Sequence, residues 1–174
     1  MTKDINSVSA PVETGVSISN VKKDRLRYTK NKLSSRLALL AIVFNVLYFI
    51  SIYSSDVGKY YYTYIIGASI IYNLLFLLCT FLSSEGVKSY KMAYAVLLIV
   101  VGALQVVRIF YIPWNALTAE VIVGGQPVVA MGLVQFINVT GYLSNSAAAA
   151  IAAGIIGILK TRTLEKYKKQ INVA

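Results

Sequence analysis

One arginine and one glutamine lie a single helical turn apart within a long apolar stretch of this chain. The stretch spans residues 91–114 and reads KMAYAVLLIVVGALQVVRIFYIPW, with Gln105 three positions before Arg108. Residues at this spacing share one face of a helix. Because arginine is rare in helices that cross a membrane, it indicates a functional site there, such as one that binds an anionic ligand or partner.

A structural role competes with this interpretation of Arg108. The residue lies four positions before the end of the predicted helix, about 6 Å along its axis. At that depth the long side chain could snorkel to the lipid headgroups, or pair with Glu120 or Asp56. We favour this alternative over the binding of an anionic ligand.

Each of the four predicted helices carries an amide side chain, the first two near mid-membrane and the other two nearer the outer face. These amides are Asn45, Asn73, Gln105 and Asn145, and Ser69 precedes Asn73 by one turn. Amides in hydrocarbon need hydrogen-bond partners, which a mutual network would supply. The network could hold the helices together, or it could line a polar cavity for a solute. We favour the first role because four amides are few for a permeation path.

Small residues recur at intervals of four in the last apolar stretch, SNSAAAAIAAGIIG. They are Ser146, Ala149, Ala150, Ala153, Gly154 and Gly157. This spacing lets two helix backbones approach closely, which promotes helix association in lipid. The stripe predicts a packing face, used either within the chain or against another subunit, and we favour the internal use.

The helices that position these residues are predicted from composition and charge. The chain is 57% hydrophobic, above the usual range for a soluble domain. Of its 17 lysines and arginines, eight lie in residues 1–36 and five in residues 160–169. A nearly uncharged centre between two basic tails is typical of an all-α integral membrane protein.

The predicted architecture is four transmembrane helices in an antiparallel bundle. The spans are about residues 37–54, 61–82, 92–112 and 137–160. Pro113 would end the third span, and Gly124-Gly125 with Pro127 indicates a short hairpin or irregular loop. We therefore place segment 113–136 outside the membrane. Residues 1–36 would form a basic, largely disordered tail, and residues 161–174 a second basic tail.

The distribution of basic residues also predicts orientation. Lysine and arginine accumulate on cytoplasmic segments, so both termini are expected in the cytoplasm, which agrees with an even number of spans. The first apolar run begins near residue 37, so we expect it to be retained as an anchor. Lysine-rich, isoleucine-rich composition hints at a bacterial cytoplasmic membrane. The tails would contact anionic headgroups, and we expect no nucleic acid partner.

Several chemistries are unsupported by the residues present. The chain has no histidine and one cysteine, Cys79, and none of its seven acidic residues lies in a predicted span. General bases, metal ligands and proton relays usually come from these residue types. We therefore expect a protein that is not an enzyme and has no cofactor or metal.

The leading functional prediction is an accessory or assembly subunit of a larger membrane complex, possibly a transporter complex. The small-residue face, the few charges within the spans and the absence of a soluble domain motivate it, and partners would be other membrane subunits or further copies of the chain. The alternative is a small oligomeric channel or carrier, with Arg108, Gln105 and the amides lining a polar path in the outer half of the bundle.

Overall fold

Four long helices dominate the fold. The computed structural model describes residues 30–53, 63–118, 120–129 and 131–173. Its elements are α1 (Lys32–Tyr53), α2 (Thr63–Lys88), α3 (Met92–Tyr111), α4 (Pro113–Thr118), β1 (Glu120–Val123), β2 (Gln126–Val129) and α5 (Leu133–Val173). Four of these helices, α1, α2, α3 and α5, are long and apolar enough to cross a membrane. This confirms the prediction of four such helices. The predicted tail up to residue 29 and the link at 54–62 lie outside the described residues.

Helix α1 begins at Lys32, earlier than position 37, because Asn31 caps it. The Asn31 Oδ1 accepts a hydrogen bond from the Ser34 N–H, at 3.5 Å. The same oxygen accepts from Lys160 Nζ at 3.1 Å, and the Asn31 N–H donates to the Lys88 carbonyl. Asn31 therefore joins the start of α1 to the end of α2 and to α5.

Helix α2 extends past residue 82 to Lys88 and ends in a tight turn. Tyr90 has a φ of 57°, in the left-handed region. The Lys91 N–H donates to the Gly86 carbonyl and the Tyr90 N–H to the Val87 carbonyl, which together form a Schellman motif. Since the segment contains no proline, nothing stops the helix before this turn.

The segment between α3 and α5 forms a short helix and a hairpin. Pro113 opens α4, and β1 pairs with β2 in antiparallel register, with Val123 opposite Gln126. Gly124 and Gly125 have φ values of 62° and 84°, which two-residue hairpin turns require. Helix α5 then runs for 41 residues, about 61 Å, so it is much longer than a bilayer core of about 30 Å.

Helices α1 and α3 are each packed between α5 on one side and α2 on the other. The approach of α5 to α3 is very close. A Cβ atom built on Gly154 would lie 2.7 Å from the Ala95 carbonyl oxygen, and one on Gly102 would lie 3.2 Å from the Ala147 carbonyl oxygen. Small residues are therefore required on both helices at this interface.

The predicted small-residue face of α5 packs against α1 as well as α3. Ser146, Ala150 and Ala153 are fully buried, and the Ser146 hydroxyl donates to the Ala41 carbonyl at 2.8 Å. Ala149 and Ala150 pack with Ala41, and a Cβ on Gly157 would lie 2.9 Å from the Ala95 Cβ. Within the chain, this face therefore packs against α1 and α3.

Candidate functional site

Polar and aromatic side chains from three helices meet in the half of the bundle near the end of α3. Each helix contributes residues three or four positions apart, which therefore share one face. We call this group the Arg108 cluster: Asn45 and Tyr48 from α1, Ser69, Tyr72 and Asn73 from α2, and Gln105 and Arg108 from α3.

The amides form a chain of hydrogen bonds with a defined direction. Gln105 Nε2 donates to Asn45 Oδ1 at 2.8 Å, and Asn45 Nδ2 donates to Asn73 Oδ1 at 3.4 Å. Arg108 Nη1 donates to the same Asn73 oxygen at 2.6 Å. Because a guanidinium ion can only donate, it requires the oxygen of Asn73 to face it, and this sets the orientation of the other two amides.

The guanidinium group of Arg108 is enclosed by neutral groups. Its Nη2 donates to the Ser69 hydroxyl at 3.1 Å, and its Cζ lies 4.4 Å from the ring centroid of Tyr48 and 4.9 Å from that of Tyr72. Both distances are typical of cation–π contacts. The residue is only 6% exposed. The side chain is therefore directed into the bundle, and the snorkelling alternative is wrong.

The positive charge of Arg108 has no carboxylate partner in the described part of the chain. The ion pair found there joins Glu85 to Lys88, at the far end of α2. Glu120, one of the two predicted partners, does not pair with Arg108, and Asp56 lies outside the described residues. An enclosed cation held only by dipoles and rings is a strong site for an added anion.

A groove of about 400 Å³ opens between α2 and α3 beside this cluster. Ser69, Tyr72 and Arg108 form the polar part of its wall. Leu104, Val107 and Tyr111 are among its other lining residues, and all three are exposed on the surface of the bundle. The guanidinium group thus stands at the wall of an apolar groove that is open along its side.

Some polar atoms of the cluster have no partner. Among them, Asn73 Nδ2, Gln105 Oε1 and the Tyr72 hydroxyl are buried and make no hydrogen bond. Water cannot easily serve as a partner for the two amides, because Asn73 is only 1% exposed and Gln105 is 0% exposed. Buried polar groups are normally satisfied because desolvation without a partner is costly. The cluster can therefore accept additional hydrogen-bond partners.

From the cluster toward the C-terminal end of α2, the buried residues of this helix follow an alternating spacing of four and three. They are Ser69, Asn73, Phe76, Thr80, Ser83 and Val87. This heptad spacing marks the face that packs against α1 and α3, and we call it the α2 seam. The Thr80 and Ser83 hydroxyls are buried without a partner. The side of the bundle that α2 forms is thus unusually polar.

Three of the four predicted amides meet in the cluster, and Asn145 does not. Asn145 is exposed on α5, where its Nδ2 donates to the Gly141 carbonyl at 2.9 Å. The predicted four-amide network is wrong at this position because the side chain is on the face of α5 that points away from the other helices.

Sequence reasoning missed the two tyrosines that enclose the guanidinium group. Tyr48 follows Asn45 by three positions and Tyr72 follows Ser69 by three, the same spacing as Gln105 and Arg108. That repeated spacing was a usable signal, since it places each ring on the polar face of its helix.

The cluster can bind and orient an anionic group, since it offers a cation together with amide and hydroxyl donors. It contains no carboxylate, thiol or imidazole to hold a metal ion, and no group of three such residues occurs elsewhere in the described ranges. Comparisons with protein-family models, curated proteins and solved structures found no match to this chain.

Proposed function

We propose that the chain is an integral membrane protein whose four long helices cross the bilayer as an antiparallel bundle, with both termini in the cytoplasm. A bacterial cytoplasmic membrane is the proposed location. The two basic tails support this orientation. So does Asn31, whose contacts gather the start of α1, the end of α2 and the basic half of α5 at one end of the bundle.

Cysteine labelling in intact cells tests the orientation. In a Cys79→Ser background, a cysteine replaces either Gly125 in the hairpin or Thr163 in the basic half of α5, both of which are exposed. A membrane-impermeant maleimide is expected to label the hairpin position only. Labelling of position 163 before lysis would contradict the proposed orientation.

We further propose that the protein is not an enzyme and that it binds an anionic group at Arg108, as an accessory subunit of a larger membrane complex such as a transporter. The observation that carries this proposal is the enclosed, positively charged Arg108 at the wall of an open groove. Its neighbours are donors and aromatic rings, which suit recognition and offer no general base.

The accessory role rests on fewer observations than the binding role. The small-residue face is used within the chain, so it gives no support for association with other subunits. The few charges in the four spans still favour a protein that works within a membrane assembly.

Purification in mild detergent after brief cross-linking tests the accessory role. A defined partner is expected at fixed stoichiometry, identified by mass spectrometry. The matched control is another four-span protein with the same tag, which should not recover that partner. Recovery of the chain as a lone monomer under all cross-linking conditions would contradict the accessory role.

A small oligomeric channel or carrier is the second candidate, and the α2 seam favours it. Polar residues continue along α2 beyond the cluster, interrupted by Phe76, which is 2% exposed. In reconstituted vesicles, Phe76→Ala should then increase solute flux and Arg108→Ala should reduce it. Flux that is absent, or that Arg108→Ala leaves unchanged, would exclude this candidate.

A further inference from the structure

We propose that an acidic membrane lipid occupies the groove between α2 and α3, with its headgroup on Arg108 and one acyl chain along the apolar lining. This inference rests on the proposed binding role of Arg108 and specifies the class of ligand. It adds a second lipid contact to the one expected at the basic tails, at a built site within the bundle.

The charge of Arg108 determines the sign of the ligand. Two of its N–H groups donate to Asn73 and Ser69, and no carboxylate in the described ranges neutralises it. An enclosed charge without a counter-ion is costly, whereas a guanidinium with a phosphate or carboxylate forms strong, directed hydrogen bonds. The ligand is therefore an anion that can accept from the remaining donors.

The groove itself determines that the anion carries a hydrocarbon chain. Its volume of about 400 Å³ is within the range of sites for small organic ligands. Val107 is 63% and Tyr111 62% exposed, and Leu104 is exposed beside them. In a bilayer this open side faces lipid, so an acyl chain can enter directly, whereas a hydrated inorganic anion has no comparable route.

The depth of Arg108 also suits a headgroup. Arg108 precedes Tyr111, the last residue of α3, by three positions, about 4.5 Å along the helix axis. The guanidinium is thus just below the level where the helix ends. An acidic headgroup can reach it with a small displacement into the membrane, and the tyrosine rings around it are typical of that interfacial zone.

Tryptophan quenching by brominated lipids tests the proposal on the full chain. Trp114 is the only tryptophan, so Trp114→Phe with Tyr111→Trp places a single reporter on the groove. The protein is reconstituted in phosphatidylcholine vesicles, with bromine on the acyl chains of either phosphatidylglycerol or phosphatidylcholine. Phosphatidylglycerol is expected to bind about tenfold more strongly, because a hydrogen bond to a charged group is worth about a decade in affinity.

Matched variants assign that preference to the groove. Arg108→Gln should abolish it, whereas Arg162→Gln, in the exposed basic half of α5, should leave it unchanged. A reporter at Leu78, which is exposed on α2 and does not line the groove, should show equal quenching by the two lipids. If Arg108→Gln does not fold, Ala68→Phe tests the same site, since it fills the groove without removing a polar group.

Several outcomes would overturn the proposal. One is equal quenching by the two lipids at position 111 in the protein with Arg108 intact. Another is full competition by millimolar inorganic phosphate, which would identify a site for small anions. A third is a preference that appears only after Asp56→Asn, which would mean that this carboxylate already neutralises Arg108. If the protein with Arg108 intact shows no lipid preference but still recovers its partner, this inference is rejected and the accessory role stands.

Discussion

Helices α5 and α2 pack against the same pair of helices, α1 and α3, in two different ways. The interface of α5 is built from glycine, alanine and serine, and its backbone comes so close to α3 that a Cβ on Gly154 would lie 2.7 Å from a carbonyl oxygen. The interface of α2 is polar, contains buried atoms without partners, and includes the groove beside Arg108.

This difference separates packing from binding. Lipid tails are as apolar as leucine, so helices in a bilayer associate mainly through close contact and hydrogen bonds rather than through the hydrophobic effect. The α5 side has close contacts and hydrogen bonds. Its backbone closely approaches α3 at Gly154, and the Ser146 hydroxyl donates to the Ala41 carbonyl. The α2 side has buried polar groups without partners, which reduce stability, and an enclosed charge held by hydrogen bonds. Both features are typical of functional sites.

The largest expected effect is at the α5 interface. Gly154→Ala should destabilise the fold by about 3 kcal/mol, because the new methyl group would meet the backbone of α3. Gly67→Ala is the matched control, since nothing lies within 4 Å of a Cβ there, and it should be neutral or slightly stabilising. Unfolding in mixed micelles with increasing dodecyl sulfate measures both. Equal losses in the two variants would show that the α5 interface is not closely packed.

Removal of the charge from the α2 side should have a smaller effect. Arg108→Gln is expected to lower the free energy of unfolding by about 2 kcal/mol, because Asn73 and Ser69 lose hydrogen bonds from a charged donor. Arg162→Gln, on the exposed part of α5, should change it by less than about 0.5 kcal/mol. The same micelle titration applies. A gain in stability for Arg108→Gln would mean that the desolvation penalty of the buried charge exceeds the stabilisation from its hydrogen bonds.

Two hydroxyl deletions should act in opposite directions. Thr80→Val should stabilise the protein by about 1 kcal/mol, because it replaces a buried hydroxyl without a partner by a methyl group of similar size. Ser146→Ala should destabilise it by about 0.6 kcal/mol, because it removes the bond to the Ala41 carbonyl. Thermal unfolding monitored by circular dichroism compares them. Effects of the same sign would remove the proposed contrast between the interfaces.

The smallest expected effect is in the turn between α2 and α3. Tyr90→Gly should stabilise the protein by about 0.5 kcal/mol, because the φ of 57° at this position is unfavourable for a residue with a side chain. Ser89→Gly in the same turn is the control, and it should not stabilise. If both variants lose stability, the contacts of the Tyr90 ring outweigh the backbone strain.

Much of the helical framework could be predicted from the sequence. The four apolar stretches became four long helices because a bilayer demands about 20 apolar residues in each. Gly124 and Gly125 became a hairpin turn because few other residues tolerate their φ values. The helix ends were less predictable, since Asn31 and the Tyr90 turn depend on contacts with neighbouring elements.

The site was only partly predictable. Gln105, Asn73 and Asn45 met as expected, because each is on the interior face of its helix. Asn145 failed because one amide in an apolar helix does not reveal which way it points. The direction of the Arg108 side chain could not be predicted either, since from the same backbone position the long side chain could equally have extended to the headgroups.

The sequence by itself thus determined the number of long apolar helices, the basic ends and the small-residue face, because these follow from local composition and spacing. Only the tertiary structure decided that Arg108 turns inward between Tyr48 and Tyr72 and that a groove opens beside it. The physical reason is that the partners of an enclosed charge come from other helices, and the rotation of each helix about its axis is settled only when all of them pack together.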